Sequence, residues 1–149
     1  MTAFKTRSAG YLANHMARSF ARALADAIRP LGLAPAQFMV LLELWREDGV
    51  TQKDLVQRLD VEQATMASTL ARMERDRLIE RRPDPLDARA RTIHLTAHAR
   101  ALEVAAVGKA RQINRQALAG FSDDERERML DGMASIIAAL SATESGSEN

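Results

Sequence analysis

The stretch Asp84-Pro85-Leu86-Asp87-Ala88-Arg89-Ala90-Arg91, running into Thr92-Ile93-His94-Leu95-Thr96, breaks with the pattern of everything before it. Up to Leu78-Ile79 the apolar residues recur at helical steps; then come Glu80-Arg81-Arg82, a Pro/Asp-rich segment, and the alternation of residues 92–95. Proline presets a turn backbone, and short aspartate side chains hydrogen-bond their own main chain. Alternation marks a half-buried strand, so two short strands around this turn form a β-hairpin. The hairpin is basic, carrying Arg81, Arg82, Arg89 and Arg91.

Upstream of the hairpin the spacing predicts three helices, the middle one short. One opens at Pro35, a favoured first helical position, with Phe38, Leu41, Leu42 and Trp45 on one face before a turn at Gly49. The next opens at Thr51, where Thr51 and Asp54 have the spacing of a cap with an acidic partner, and ends near Leu59. The third spans about residues 62–76, with Met66, Leu70 and Met73 inward at i, i+4 and i+7.

Outside this unit the spacing predicts a first helix over 7–29 that stops at Pro30, because the residue before a proline is pushed out of the helical region. Its apolar stripe is Tyr11, Leu12, His15, Met16, Phe20, Ala23, Leu24, Ala27 and Ile28. After the hairpin, Thr96 caps a long helix to about Ala119, and Ser122-Asp123-Asp124-Glu125 is a capping box that opens a last one. Leu102, Ala106, Ala110, Ile113 and Ala117, with Leu130, Met133, Ile137 and Leu140, give these helices apolar faces too. The unit of three helices and a hairpin cannot cover all of them, and dimerisation is the natural solution.

Composition narrows the function classes. The 149 residues amount to about one domain. Without cysteine the chain has no disulfide, thiol nucleophile or cysteine redox switch. No uncharged run approaches the roughly 20 residues of a membrane span, and neither a secretory signal nor a transit peptide accounts for the N-terminal stripe, so a soluble cytoplasmic protein without membrane contact is expected. His15, His94 and His98 lack metal-ligand spacing, no glycine-rich phosphate loop occurs, and the serines lack a catalytic context. Neither metal, cofactor nor enzyme activity is expected.

Three helices followed by a basic hairpin is the order of a winged helix-turn-helix, which places its third helix in the DNA major groove. With Met66, Leu70 and Met73 inward, that helix turns Ala64, Ser68, Ala71 and Arg75 outward, flanked by Thr65 and Arg72. Small hydroxyls and arginines suit approach to base edges and phosphates. A solvated helix face has the same composition, so this face alone does not decide the function.

The chain resembles the MarR family of bacterial transcriptional regulators, over about residues 31–100 by motif and over its whole length by helix order. The stretches that carry the resemblance are Leu33-Ala34-Pro35-Ala36-Gln37-Phe38, Thr51-Gln52-Lys53-Asp54-Leu55, Val61-Glu62-Gln63-Ala64-Thr65, Arg72-Met73-Glu74 and the wing through Ile93-His94-Leu95-Thr96. The implied fold is mainly α with a small β-hairpin wing, a winged helix-turn-helix flanked by N- and C-terminal dimerisation helices. The boundaries are 1–30 for the N-terminal dimerisation helix, 31–97 for the DNA-binding domain, 98–141 for the C-terminal dimerisation helices and 142–149 for a disordered tail.

What the resemblance implies is a homodimeric repressor on a pseudo-palindromic operator in double-stranded DNA. By position, Arg89 enters the minor groove, Asp87 orients it, and Thr51, Gln52, Gln63, Ala64, Thr65, Ser68, Arg72, Arg75 and Arg91 complete the DNA-binding set. It also implies a small aromatic or anionic effector, for which Tyr11, His15, Arg18, Phe38, Leu42 and Trp45 are candidate contacts. The alternative is a winged-helix protein-interaction module without DNA binding, against which the Asp87-x-Arg89 pair stands. Three positions depart from the family pattern: Ala34 lacks a capping side chain, Arg77 replaces a turn glycine, and Ala99 stands where a glycine commonly follows the wing.

Overall fold

The computed structural model describes residues 2–146. These fall into two compact units, one up to Ile113 and the other from Asn114, with the boundary inside a helix. In the first unit α1 (Thr2–Arg7) and α2 (Ala9–Ile28) precede a 3-10 turn, Arg29–Leu31, and α3 (Pro35–Arg46). Then come β1 (Val50–Thr51), α4 (Gln52–Leu59), α5 (Gln63–Arg75), β2 (Ile79–Pro83), β3 (Arg91–Leu95) and α6 (Ala97–Ala101). The helix α7 (Glu103–Ala117) crosses the boundary, and α8 (Asp123–Ser145) follows it.

The helix expected over 7–29 is α2, set off from the short α1 because Ser8 leaves the helical region and caps α2, its hydroxyl accepting from the Tyr11 amide at 3.3 Å. At its far end α2 stops at Ile28, before Pro30, as expected. The proline is taken into a 3-10 turn, and the chain reverses at Gly32, whose φ of 75° favours glycine. Ile28, at the end of α2, is fully buried against Leu33, Phe38, Leu41 and Leu44. The first half of α2 lies exposed.

Capping explains α4 and α5. Thr51 Oγ1 accepts from the Asp54 amide at 3.2 Å while Asp54 Oδ2 accepts from the Thr51 amide at 3.0 Å, so two otherwise orphaned N–H groups satisfy each other's side chains. Arg77, with φ 58°, ends α5: its amide donates to the Glu74 carbonyl and the Leu78 amide to Met73, the paired bonds of a left-handed helix cap. Met66, Leu70 and Met73 are buried as their spacing requires.

The hairpin is part of a three-stranded antiparallel sheet in the order β1-β3-β2, with Val50 opposite Ile93 and Ile79 opposite Leu95. Two residues are too few for periodicity, which is why β1 escapes a reading of the sequence. It pairs because Gly49, at φ 75°, lets its own amide reach the Ile93 carbonyl. A side chain at Gly49 would meet the His94 ring at 3.0 Å.

The long helix expected from Thr96 is broken at Leu102, whose amide bonds to the Ala99 carbonyl three residues back. The Trp45 indole N–H donates to that same carbonyl at 3.1 Å, so a tertiary donor competes for an acceptor of the helical ladder. In the second unit Ser122 and Glu125 form the expected capping box, and Arg126 Nε donates to the Leu118 carbonyl. Helix α8 runs to Ser145, so the tail expected over 142–149 begins inside it, and residues 147–149 of that tail lie outside the described residues.

Candidate nucleic-acid interface

Burial of Met66, Leu70 and Met73 fixes which face of α5 meets solvent. Gln63, Ala64, Thr65, Ser68, Arg72 and Arg75 are all on the exposed side. Thr69 is buried instead, its hydroxyl donating to the Thr65 carbonyl at 3.0 Å. The two arginines differ. Arg72 makes no ion pair among the described residues, whereas Arg75 Nε lies 3.2 Å from Asp76 Oδ1. Asp76 also accepts from the Gln37 amide group, and these two donors hold its carboxyl below the usual range.

At the start of α4, the Thr51 amide and hydroxyl hold the Asp54 carboxyl below its ordinary value, with Arg58 and Lys53 adding attraction against slight desolvation. Gln52, the first residue of α4, is partly exposed beside Thr51.

The wing tip is built from side chains that bond to main chain. Asp84 Oδ1 accepts from the Leu86 amide and Asp87 Oδ1 from the Arg89 amide, each at 2.9 Å. The loop closes through Ala90 to the Asp87 carbonyl and Asp84 to the Ala90 carbonyl, both at 3.1 Å. Asp87 therefore holds Arg89 by its backbone amide, with no ion pair to the guanidinium among the described residues. The side chains of Arg89 and Arg91 are exposed and without ion-pair partners among the described residues. Arg82 and Glu80 approach at 3.5 Å with both side chains more than half exposed, a contact worth little. Leu86, which a motif reading passes over, is 95% exposed at the tip.

The residues expected for an effector fall into two groups, one on α2 and one on α3. Tyr11 and His15 meet edge to face at 6.3 Å on the exposed half of α2, with the Lys5 ammonium 5.2 Å from the Tyr11 ring centre; Arg18 is exposed one turn further on. Phe38 and Trp45 meet edge to face at 6.1 Å on α3, where Phe38 is a core residue and Trp45 is half-buried. Leu42 is exposed on the same helix.

Asp48 carries no motif and was invisible in the sequence, yet it joins three elements. Its carboxylate accepts from the Leu95 amide at 2.8 Å and from Arg100 at 2.6 Å, and lies 3.7 Å from His94, whose other ring nitrogen is 2.8 Å from the Thr92 hydroxyl. No group of three or more His, Asp or Glu side chains placed to hold a metal ion occurs among the described residues. No single described helix is long and apolar enough to cross a membrane.

Comparison with known proteins agrees with this geometry. Residues 31–90 match the model of the MarR family. The chain is 31% identical over 134 residues to the HTH-type transcriptional regulator TtmR of Methylorubrum extorquens, covering 89% of this chain and 67% of that one. It is 32% identical over 95 residues to the transcriptional regulator HosA of Escherichia coli, covering 64% and 70%. Among solved structures, a probable transcriptional regulator from Pseudomonas aeruginosa superposes with a TM-score of 0.80 at 30% identity, covering 88% of this chain and 98% of that one. A MarR-family regulator from Listeria monocytogenes, complexed with a 26mer DNA, shares the fold with a TM-score of 0.81 at 20% identity, covering 87% of each chain.

Proposed function

The chain belongs to the MarR family of transcriptional regulators, and from that premise we propose that it is a homodimeric, cytoplasmic repressor that binds a pseudo-palindromic operator in double-stranded DNA and leaves it when a small aromatic or anionic effector binds. The observation that carries the DNA reading is the exposed face of α5. There Gln63, Thr65, Ser68 and Arg72 stand clear of the core that buries Met66, Leu70 and Met73. Amides, hydroxyls and a guanidinium on one helix face are the donors and acceptors that major-groove edges require. Arg89 and Arg91 add unpaired cations on the wing, suited to phosphates and to the electronegative floor of a narrow minor groove.

Support for the dimer lies in apolar surface. Tyr11, Leu12 and Met16 on α2, and Leu130, Ile136, Ile137 and Leu140 on α8, are all more than a third exposed, and a second copy would bury them. Release by an effector is supported by the junction at the end of α3. Trp45 holds the Ala99 carbonyl of α6, and Asp48 holds Leu95 of β3 and Arg100 of α6. A molecule that displaced Trp45 would therefore act on the strand that carries the wing. It releases DNA only by preferring the DNA-free arrangement.

Selection of genomic fragments bound by the purified protein tests the reading. Recovery of one palindromic site whose neighbouring gene is expressed more strongly in a deletion strain is the expected result. Fragments without a shared site would return the chain to a protein-interaction role.

A further inference from the structure

We infer that Leu86 is a specificity-determining residue of the wing, packing its side chain on the deoxyribose walls of the operator's minor groove behind Arg89. The inference rests on the DNA-binding reading above and extends it to apolar fit. Among the described residues Leu86 is the most exposed of the large apolar side chains, at 95%. Single exposed leucines are common on protein surfaces, so exposure alone says little. Its place says more, because the tip is held rather than loose: Pro85 precedes it, its amide is bonded to Asp84, and the loop is closed by main-chain bonds to Ala90.

The chemistry of that tip is unusual in its balance. Both carboxylates, Asp84 and Asp87, are turned onto backbone amides, and what remains is Pro85, Leu86 and Ala88 beside one long cation, Arg89. A minor groove offers the matching surface, an electronegative floor for the guanidinium between walls formed by sugar carbons. Side-chain length then decides depth. Arginine outreaches the isobutyl group, so Arg89 reaches the floor and Leu86 meets the walls without entering the base stack. Walls close on the leucine only where the groove is narrow, as in A·T-rich steps. Leu86 thus adds to the preference for A·T flanks by a term that involves no charge.

Salt dependence separates this role from that of a cation, since only charged contacts release counterions. Binding of the full chain to its selected operator would be measured across a salt series, with A·T and with G·C flanks, for the wild type and for Leu86→Ala, Leu86→Gln, Leu86→Met and Arg89→Ala. Leu86→Ala and Leu86→Gln are expected to lose about 5- to 20-fold on the A·T-flanked site, much less on the G·C-flanked one, with the slope of log K against log salt unchanged. Leu86→Met should bind like the wild type, whereas Arg89→Ala should lower the slope by about 1.8 for the bound dimer, about 0.9 for each of its two arginines.

Wild-type affinity in both Leu86→Ala and Leu86→Gln, with Arg89→Ala impaired, would overturn the role of Leu86 and leave the DNA reading standing. Failure of the wild type to bind any duplex would remove both. Loss of repression in cells by Leu86→Ala at undiminished DNA affinity would assign the leucine to a protein partner and likewise overturn the inference.

Discussion

Arg77 stands at φ 58°, in a left-handed conformation that a side chain makes costly, at the position where the family pattern has a glycine. Its main chain is fully used: the amide caps α5 and the carbonyl accepts from the Thr96 hydroxyl at 2.7 Å. Its side chain is exposed. Arg77→Gly should therefore relieve strain without losing a contact, raising stability by about 0.5–1 kcal/mol after the larger chain entropy of glycine in the unfolded state. Denaturant titration at fixed protein concentration checks this, and an unchanged or lower midpoint would mean that the guanidinium contributes more than the backbone costs. Arg89 and Arg72 make a second contrast. Arg89→Ala should weaken operator binding by roughly 1–3 kcal/mol and relax preference mainly at A·T positions outside the half-site, because minor-groove readout is degenerate. Arg72→Ala should alter preference inside it. Selection from a randomised operator library reads both, and identical base preferences in the two variants would contradict the division of labour.

The helix ends are where elements are decided. Ala34 leaves α3 without a capping side chain, but Gln37 compensates, its carbonyl oxygen accepting from the Ala34 amide at 3.1 Å and its amide group donating to Asp76 at the end of α5. One residue so ties the start of one helix to the end of another. The reciprocal cap of α4 has a pH signature. Hydrogen bonds from Thr51 lower the Asp54 carboxyl in the folded state below its value of 3.8. The ionised form is therefore favoured by folding, and the stabilisation is complete above the unfolded pKa and lost as pH falls through the lower folded one. Asp54→Ala should cost about 1 kcal/mol at pH 6–7, with the gap to wild type narrowing below pH 4. Thermal melts of the two proteins over that range would show it, and a gap that stayed constant into acid would mean the carboxylate's charge plays no part.

At the scale of the molecule, the chain carries nearly balanced charge, 21 Lys and Arg against 20 Asp and Glu, yet its acids and bases are segregated. Residues 120–149 hold seven acids and two bases, which leaves the positive excess to the segment with the helix-turn-helix and wing and to the helices beside it. The local positive excess of that segment, rather than net charge, would then favour DNA association. Binding should occur as a dimer across half-sites about one helical turn apart, and affinity should fall steeply with salt as phosphates release their counterions. Sedimentation of the complex together with a salt series checks both. One protomer per operator, or an affinity indifferent to salt, would refute the arrangement.

Periodicity and capping chemistry were enough to read α3, α4, α5, the wing and the Ser122 box from the sequence, because each is decided by residues within one or two turns of one another. Pro35, the Thr51–Asp54 pair, the inward Met66, Leu70 and Met73, and the Asp/Pro tip are local signals, and the family's motif order sits on them. The exposed face of α5 followed from the same spacing. What the sequence could not contain is whatever depends on a partner far along the chain. Strand β1 exists because Val50 finds Ile93, and the helix after the wing breaks where Trp45 reaches Ala99, 54 residues away. Asp48 becomes a junction only when Leu95 and Arg100 are folded onto it. How Asp87 holds Arg89 is legible only in the structure, for a related reason. Its spacing from Arg89 is the same whether the carboxylate binds the guanidinium or the amide, and the closed loop of the wing tip selects the amide.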